Sequence, residues 1–335
     1  MAASGQTIVV EPATPAETDA IRLLPNDPHC RQHVAYWNEA PKSAKLHRVV
    51  RLQEPIVHYE RRTGMIKTTL QWGQRKLALV LLEFLTLFAS PGDIVVYAGA
   101  APGNNIAFLA GLFRDVEFHL YDPREFNRIV RQHPNIKTYR QYFTDQTARS
   151  YAGLSNILFV SDIRTATDND NNDVFERKVW EDMLAQQRWY RIMEPKKAHL
   201  KFRLPYVMAG QPTDGSLEYL SGTVIIQPWA KVTSTEGRLI PDGDTREWSF
   251  KWYESYMFQH NVMTRTSLYP HTIRAPGLDH CFDCASEVAI LQQFLLKTTG
   301  EAPDAEVEKL SRRISVIVSD GRYTLATYVG RRDEE

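Results

Sequence analysis

Strands and helices alternate along most of this chain, and that alternation limits the possible folds more than any other feature of the sequence. Short apolar segments with the length and composition of buried strands occur at 94–98, 116–121, 156–160, 198–203 and 223–227. Apolar residues at helical spacing lie between them, most clearly at 77–88 and 174–193. Repeated alternation of this kind predicts a doubly wound α/β fold, with a mostly parallel sheet covered by helices on both faces.

A turn rich in glycine and proline joins the first strand to the helix that follows it, in the sequence Tyr97-Ala98-Gly99-Ala100-Ala101-Pro102-Gly103. Glycines let the backbone approach a ligand closely, and a helix N-terminus offers unpaired N–H groups. Asp122 ends the next strand, where a carboxylate can accept both hydroxyls of a ribose. The turn is not GxGxxG, which weakens a dinucleotide interpretation. The two features fit an adenosyl cofactor as well as a nicotinamide one.

Four charged residues occur beside these elements, in the order Lys76, Asp162, Lys201 and Glu236. Lys201 is the most informative of them because it lies between apolar neighbours in a predicted strand. A buried lysine needs a partner or loses its proton, and the other three residues could supply that environment. Singly, each would be interpreted as a solvated surface charge. Together with the turn they predict one catalytic constellation.

Bulk composition excludes some classes of protein. Formal net charge is zero, with 40 basic and 40 acidic residues, so any RNA contact must come from a local patch. No apolar run is long enough for a membrane span, and the N-terminal residues do not resemble a secretory signal. Three cysteines argue against a disulfide framework and for a reducing, intracellular compartment. Cys281 and Cys284 could bind zinc, but core packing is the favoured interpretation, and no metal is predicted.

Six segments, which run in the order that the family has, resemble the poxvirus-type small poly(A)-polymerase subunit family of cap-specific mRNA 2'-O-methyltransferases, and also kinetoplastid cap 2'-O-methyltransferases. The segments are 54–60, 73–77, 95–103, 161–164, 200–203 and 227–238. The resemblance spans about residues 52–298. It implies a Rossmann-like S-adenosylmethionine-dependent methyltransferase fold.

The resemblance also implies an activity, which is transfer of the S-adenosylmethionine methyl group to a ribose 2'-OH near the 5' cap. Lys76, Asp162, Lys201 and Glu236 match the catalytic tetrad of the family. In that interpretation Lys201 orients and deprotonates the hydroxyl, while Asp162 and Glu236 position the two ammonium groups. Two alternatives stay open: an internal rRNA or snRNA 2'-O-methyltransferase, and a non-catalytic cap-binding or polymerase-associated subunit.

Binding residues follow from the same matching. The resemblance assigns cofactor contacts to Gln74, Tyr97, Gly99, Ala101, Pro102, Gly103, Asp122, Arg124, Phe143 and Asp162. Tyr206 matches an aromatic that stacks on the cap guanine, Glu254 matches a carboxylate that binds the guanine edge, and Arg203 is a candidate RNA contact. Tyr59 is a candidate second stacking aromatic. The implied partners are the capped mRNA 5' end and a capping or polymerase subunit, with no membrane.

Three regions are predicted along the chain. Residues 1–45 have no sustained period and are predicted to be a loosely ordered extension. Residues 46–300 form the 2'-O-methyltransferase domain. Residues 301–335 are predicted to form a β-hairpin tail, because 314–319 and 322–328 flank an Asp-Gly pair that suits a tight turn. The compartment implied is the nucleus in a eukaryote, or a virion or cytoplasmic factory for a virus.

Overall fold

The computed structural model describes residues 45–59, 72–206, 214–231, 233–265 and 267–319. Apart from Lys45, the predicted N-terminal extension lies outside these residues. The second strand of the predicted C-terminal hairpin also lies outside them. None of the described helices combines the length and apolar character that crossing a lipid bilayer requires.

A seven-stranded sheet forms the centre of the molecule, in the order β3-β2-β1-β4-β5-β7-β6. Its strands are β1 Ile94–Ala98, β2 Glu117–Tyr121, β3 Ile136–Tyr139, β4 Ile157–Ser161, β5 Lys197–Phe202, β6 Ser216–Ile226 and β7 Gly237–Ser249. The first five are parallel, whereas β7 is antiparallel to both β5 and β6. The doubly wound, mostly parallel α/β fold predicted from the sequence is therefore confirmed.

Helices cover both faces of this sheet. They are α1 Gly73–Phe88, α2 Asn104–Leu112, α3 Arg128–Arg131, α4 Asp145–Arg149, α5 Asn172–Met193, α6 Phe250–Gln259, α7 Phe282–Thr299 and α8 Asp304–Val318. Successive strand residues face opposite sides, so Val95 belongs to the hydrophobic cluster with α1, α2, α7 and α8. Val96 belongs to the cluster with α5 and α6. Burial on both faces explains why the parallel strands are continuous apolar runs rather than alternating ones.

The order of strands also locates a crevice. From β1 the chain passes outward through β2 to β3 and then returns to β4 on the other side of β1. The loops after β1 and β4 therefore diverge, which leaves a groove outside the carboxyl ends of these two strands. Gly99 follows β1 and Asp162 follows β4. The sheet topology thus brings the glycine turn and one member of the tetrad to the same place.

The predicted C-terminal hairpin is wrong, because residues 314–318 are the last turn of helix α8. The β-branched run that suggested a strand is real, but tertiary packing overrides this local preference. Val307, Leu310 and Ile314 recur at helical spacing and are buried in the core cluster that contains α1 and α7. Helix α8 is consequently part of the core domain rather than a separate tail after residue 300.

Strand β7 leads directly into helix α6. It is 13 residues long, and Trp248 still belongs to it. Strands β6 and β7 pair closely at Gly222, where an added Cβ would lie 2.2 Å from the carbonyl oxygen of Ile240. Only glycine allows this close approach of the two strands. Helix α6 begins after Ser249, whose side chain accepts a hydrogen bond from the N–H of Trp252.

Candidate active site

The glycine turn packs directly against the end of β4. Gly99 and Gly103 have φ values of +83° and +82°, which most other residues adopt only with strain. A Cβ on Gly99 would lie 3.0 Å from the carbonyl carbon of Asp162 and from the nitrogen of Ile163. The N–H of Gly99 also donates to the carbonyl of Tyr121 (2.8 Å). Glycine at position 99 therefore sets the separation between the turn and Asp162.

Asp122 lies at the carboxyl end of β2 and faces the same turn. Its carboxylate accepts hydrogen bonds from the N–H of Ala101 (3.0 Å) and from Nε and Nη2 of Arg124 (3.0 Å each). Burial opposes ionisation, but the bonds from Arg124 and Ala101 outweigh it and hold the pKa of Asp122 below its usual value. The Arg124 side chain is 69 % exposed, so this cation covers the carboxylate from the solvent side.

The other predicted cofactor residues surround the turn at different depths. Gln74 is exposed on the first turn of α1, and Pro102 is exposed in the turn itself. Tyr97 is buried in β1. Phe143 is buried against the rings of Tyr121 (5.1 Å between centroids) and Trp189 (4.9 Å). Their roles in cofactor binding stay predictions.

The four tetrad side chains come together at the carboxyl edge of the sheet. Nζ of Lys76 lies 2.9 Å from Oε1 of Glu236, and Nζ of Lys201 lies 3.1 Å from Oδ1 of Asp162 and 3.7 Å from Oε2 of Glu236. Each side chain is between 12 and 18 % exposed. Lys76 comes from the first turn of α1, Asp162 follows β4, Lys201 is near the end of β5, and Glu236 immediately precedes β7. The two lysines share Glu236, so the four form one continuous cluster that solvent still reaches.

Arg238 is a fifth member of this cluster that the sequence interpretation missed. Its Nη2 lies 2.6 Å from Oδ1 of Asp162 and 3.6 Å from Oε1 of Glu236, and its side chain is only 1 % exposed. Arg238 pairs with Lys201 in the antiparallel register of β5 and β7. A signal was present, since an arginine within the apolar strand segment 237–240 needs a buried partner for the same reason that Lys201 does.

The cations decide the charge state of the two carboxylates. Burial alone would raise the pKa of both Asp162 and Glu236. The positive charges of Lys201, Lys76 and Arg238 outweigh burial, lowering the pKa of Asp162 and holding that of Glu236 well below its usual value. Both carboxyls are therefore ionised at neutral pH and hold the ammonium groups in place.

Tyr206 presents an aromatic ring next to the tetrad. Its hydroxyl oxygen lies 3.3 Å from Oγ1 of Thr235, the residue before Glu236, and the side chain is 43 % exposed. A cleft of about 480 Å³ opens beside this ring, lined by Asp168, Asp170, Asn172, Asp173, Phe175, Glu176 and Tyr206. An aromatic wall with acidic neighbours suits a flat cationic ligand.

Arg203 supports Tyr206 from behind. Its guanidinium carbon lies 4.6 Å from the centroid of the Tyr206 ring, and its Nη2 donates to both carboxylate oxygens of Glu176 (2.8 and 2.9 Å). Glu176 also accepts from the N–H of Tyr206 (2.7 Å). Because Arg203 is buried and paired with Glu176, its geometry suits orienting the ring, and its predicted RNA contact stays a prediction.

Helix α6 brings the other predicted cap residues near the same loop. The hydroxyl of Tyr253 donates to the carbonyl of Thr235 (2.6 Å), and the neighbouring Glu254 is half-buried, which raises its pKa. Ser255, the residue after Glu254, accepts a hydrogen bond at Oγ from the N–H of Tyr59 (3.2 Å). Glu254 thus lies between residues that contact Thr235 and residues that contact Tyr59.

Cys281 and Cys284 lie at the start of helix α7 and form a hydrogen bond with each other there. Sγ of Cys281 accepts a hydrogen bond from the N–H of Cys284 at 3.4 Å, and Cys281 is the N-cap residue. Oδ1 of Asp279 accepts from the N–H of Cys281 (3.0 Å), and the three side chains bring their donor atoms within 4.8 Å of one another. Burial raises the pKa of Cys281 to about 12. These contacts support a structural interpretation of both thiols.

Two sequence comparisons relate this chain to known proteins. The model of a family described as "Poly A polymerase regulatory subunit" matches residues 53–301. A cap-specific mRNA (nucleoside-2'-O-)-methyltransferase of Fowlpox virus is 27 % identical over an alignment of 183 residues, and the match covers 50 % of this chain and 57 % of that protein. The match thus spans little more than half of the relative's length.

Two solved structures are similar to parts of this chain. A chain of a fibrillarin/Nop5p complex has 16 % identity and a TM-score of 0.28, covering 48 % of this chain and 71 % of its own length. A probable spermidine synthase from Corynebacterium glutamicum has 9 % identity and a TM-score of 0.28, covering 49 % of this chain and 62 % of its own length.

Proposed function

Because this chain belongs to the poly A polymerase regulatory subunit family, we propose that it is an S-adenosylmethionine-dependent methyltransferase acting on a ribose 2'-OH near the 5' cap of mRNA. The observation that carries the proposal is the cluster around Lys201. Its ammonium lies between Asp162 (3.1 Å) and Glu236 (3.7 Å), at the edge of the sheet where Gly99 contacts the Asp162 backbone. The name of the Fowlpox virus relative supports the choice of substrate.

The turn fits an adenosyl cofactor. Gly99 and Gly103 allow the positive φ values of the turn and its close packing against Asp162 and Val130, and Asp122 offers a buried carboxylate at the end of β2 for ribose hydroxyls. Arg124 covers that carboxylate with an exposed side chain, which would have to turn toward solvent for ribose hydroxyls to reach Asp122. Bound S-adenosylmethionine would supply a methyl group that its sulfonium already activates. The chain therefore has to align the reactants rather than activate the methyl donor.

Lys201 is the residue that we assign to the acceptor hydroxyl. Its Nζ holds the 2'-oxygen in line with the methyl carbon, and the carboxylates of Asp162 and Glu236 hold Nζ. Bound S-adenosylmethionine would supply the methyl group to the 2'-oxygen, and its sulfur would keep the electron pair of the broken carbon–sulfur bond. The hydroxyl proton would pass to Nζ of Lys201 in its neutral amine form, and the ammonium that results would release a proton to solvent. Lys76 pairs with Glu236 (2.9 Å) and so keeps this carboxylate in place.

The cleft beside Tyr206 is our proposed site for the cap base. The base of the methylated cap is flat and cationic, and the ring of Tyr206 would stack on it while acidic side chains of the cleft attract its charge. Glu254 would bind the edge of the base. Burial raises the pKa of Glu254, and a bound cationic base would favour its ionised form. Tyr206 and the tetrad are joined through Thr235, so the cap and the target ribose would be neighbours.

A partner also follows from the family description. We propose that a polymerase or capping subunit binds this chain, because the family is described as a regulatory subunit of poly A polymerase.

Methyl transfer from labelled S-adenosylmethionine to capped and uncapped RNA of one sequence tests the proposal. Label is expected only in the capped RNA, at the ribose 2'-oxygen after nuclease digestion. Equal labelling of both RNAs would contradict cap dependence. Retention on cap resin without any labelling would instead show a cap-binding subunit. As a matched pair of variants, Tyr206→Ala should abolish the preference for capped RNA, whereas Tyr142→Ala, which truncates an exposed tyrosine between β3 and α4, should keep it.

A further inference from the structure

A second network of charged side chains lies behind the tetrad and is almost completely buried. Its acidic members, Asp283 and Glu287, are one turn apart on helix α7. Glu287 forms an ion pair with Arg75, and Asp283 forms one with Arg265 (3.0 Å). The proposed reaction uses none of these four side chains.

Glu287 joins the two segments that carry the ends of the Lys76–Glu236 ion pair. Its carboxylate accepts hydrogen bonds from Nε of Arg75 (2.6 Å) and from Nε1 of Trp229 (3.0 Å). Arg75 precedes Lys76 in the first turn of α1, and Trp229 lies in the loop that leads from β6 to Glu236. A single carboxylate therefore connects the start of a helix to a loop far away in sequence.

Trp229 adopts a backbone conformation that needs such support. Its φ is +60°, which is unusual for a bulky residue and persists only where the surroundings determine it. Its N–H donates to Oδ1 of Asp283 (2.9 Å), and its carbonyl accepts from the N–H of Trp72 (3.1 Å). Arg265 donates to the next carbonyl, that of Ala230 (2.6 Å). The conformation of the loop thus depends on contacts with α7 and α1.

We propose that Glu287 is a positioning residue for methyl transfer. By holding Arg75 and Trp229 it sets the separation between Lys76 and Glu236. The position of Glu236 in turn affects Lys201, which orients the acceptor hydroxyl. This inference rests on the proposed function. A buried ion pair contributes little net stability compared with an apolar pair of the same size, so its use here is better explained by geometry.

Helix α8 completes the network from outside. Oγ of Ser311 donates to Oε1 of Glu287 (2.6 Å), and Nη1 of Arg75 donates to Oγ of Ser315 (2.7 Å). With these contacts the carboxylate and the guanidinium are held from three helices. Small displacements of either group would therefore be transmitted to α1 and to the loop rather than absorbed locally.

The matched variants are Glu287→Gln and Glu83→Gln. Each removes one charge from a buried ion pair on or against α1, since Glu83 lies in α1 and pairs with Arg48 (2.6 Å) about 10 Å along the helix from Lys76. In Glu287→Gln we expect kcat to fall about 10-fold to 10²-fold, because a misplaced reacting group costs this much, with KM for S-adenosylmethionine unchanged. Glu83→Gln should keep the kcat of the wild type.

Two further measurements separate positioning from instability and from failure of the proposed function. The double variant Arg75→Met/Glu287→Gln leaves no unpaired buried charge, so it should fold and retain the loss in kcat. The Cε NMR signal of Lys76 should shift in Glu287→Gln in the same direction as in Glu236→Gln. If the wild type transfers no methyl group, the proposed function fails, and the NMR signal still tests the positioning.

Equal losses of kcat in Glu287→Gln and Glu83→Gln would overturn the proposal. An unchanged Lys76 signal in Glu287→Gln would overturn it as well, as would a raised KM with unchanged kcat.

Discussion

At the scale of single residues, Lys201 is the side chain on which the proposed chemistry depends most. Replacing Lys201 by Met should lower kcat about 10²-fold to 10⁴-fold, the usual range for losing a positioned acid–base group. Cofactor affinity should persist, because Arg238 still holds Asp162 beside the turn when Lys201 is replaced. The measurements are single-turnover methyl transfer and calorimetric titration with S-adenosylmethionine. Lys197→Met is the control, since Lys197 lies at the start of β5 with its Nζ over the ring of Phe88 (5.7 Å).

An unchanged rate in Lys201→Met would remove this lysine from the mechanism. Loss of cofactor binding together with the rate would mean that Lys201 supports the turn instead.

Gly99→Ala and Gly153→Ala are a second pair of matched variants at the scale of single residues. Both have a φ near +80°, so alanine at either position should destabilise the fold by about 1–2 kcal/mol. Only at Gly99 would the added Cβ meet backbone, at 3.0 Å from Asp162, whereas Gly153 has open space around it. We therefore expect Gly99→Ala, and not Gly153→Ala, to weaken cofactor binding in calorimetric titrations. Equal affinities in the two variants would contradict close packing between the turn and Asp162.

At the scale of elements, helix α8 tests whether residues after 300 belong to the core. Ile314 is buried in the cluster with α1 and α7, so Ile314→Ala should lower the free energy of unfolding by about 2–5 kcal/mol. Val316 is 48 % exposed on the same helix, and Val316→Ala should change this free energy by less than about 0.5 kcal/mol. Urea denaturation followed by circular dichroism gives both values. Equal and small effects would mean that α8 does not contribute to the core.

The same elements show what sequence alone could predict. Strand β1 and helix α5 were predicted almost to the residue, because their apolar residues recur at the spacing of a buried strand and of a helix. The hairpin expected in place of α8 failed because a run such as Ile314–Val318 has a local strand preference that packing overrides. The apolar periodicity also gave no indication that β7 runs antiparallel to β5 and β6.

The candidate site also contains some residues that the sequence could predict and others that it could not. The tetrad could be predicted because its four members have the right types in order, and the structure does bring them together. Arg238 could not be found by matching a pattern of four, since only the antiparallel register of β7 places it opposite Lys201. The burial of Arg203 against Glu176 was equally hidden, because it depends on helix α5 crossing the end of β5.

At the scale of the whole molecule, buried histidines make stability depend on pH. Burial lowers the pKa of His260 to about 3 and that of His199 well below its usual value. An unfolded histidine takes up a proton below about pH 6.5, whereas these two do not in the native state. Their stabilisation is thus complete above pH 6.5, and each loses about 1.4 kcal/mol per pH unit as the pH falls below it.

We expect the urea midpoint to fall between pH 7 and pH 5, and the slope to be shallower in His260→Phe, which keeps an aromatic ring against Phe282. His58→Gln is the control, because His58 is exposed and water solvates it in both states. A slope that is the same in His260→Phe and the wild type would contradict a neutral buried histidine at this position. Below about pH 4, protonation of Asp162 and Glu236 should add a further loss, since their pKa values are lowered in the folded chain.

The ion pair between Lys76 and Glu236 joins residues 160 positions apart in the chain, and this separation has a consequence during synthesis. A ribosome adding roughly 5–20 residues per second needs about 8–30 s to pass from one to the other. During that interval the glycine turn and strands β1 to β5 are synthesised, whereas the carboxylate that Lys76 requires is made only at its end. A nascent chain therefore acquires its cofactor turn well before its tetrad, and stalling before residue 236 leaves the first half complete and the site unassembled.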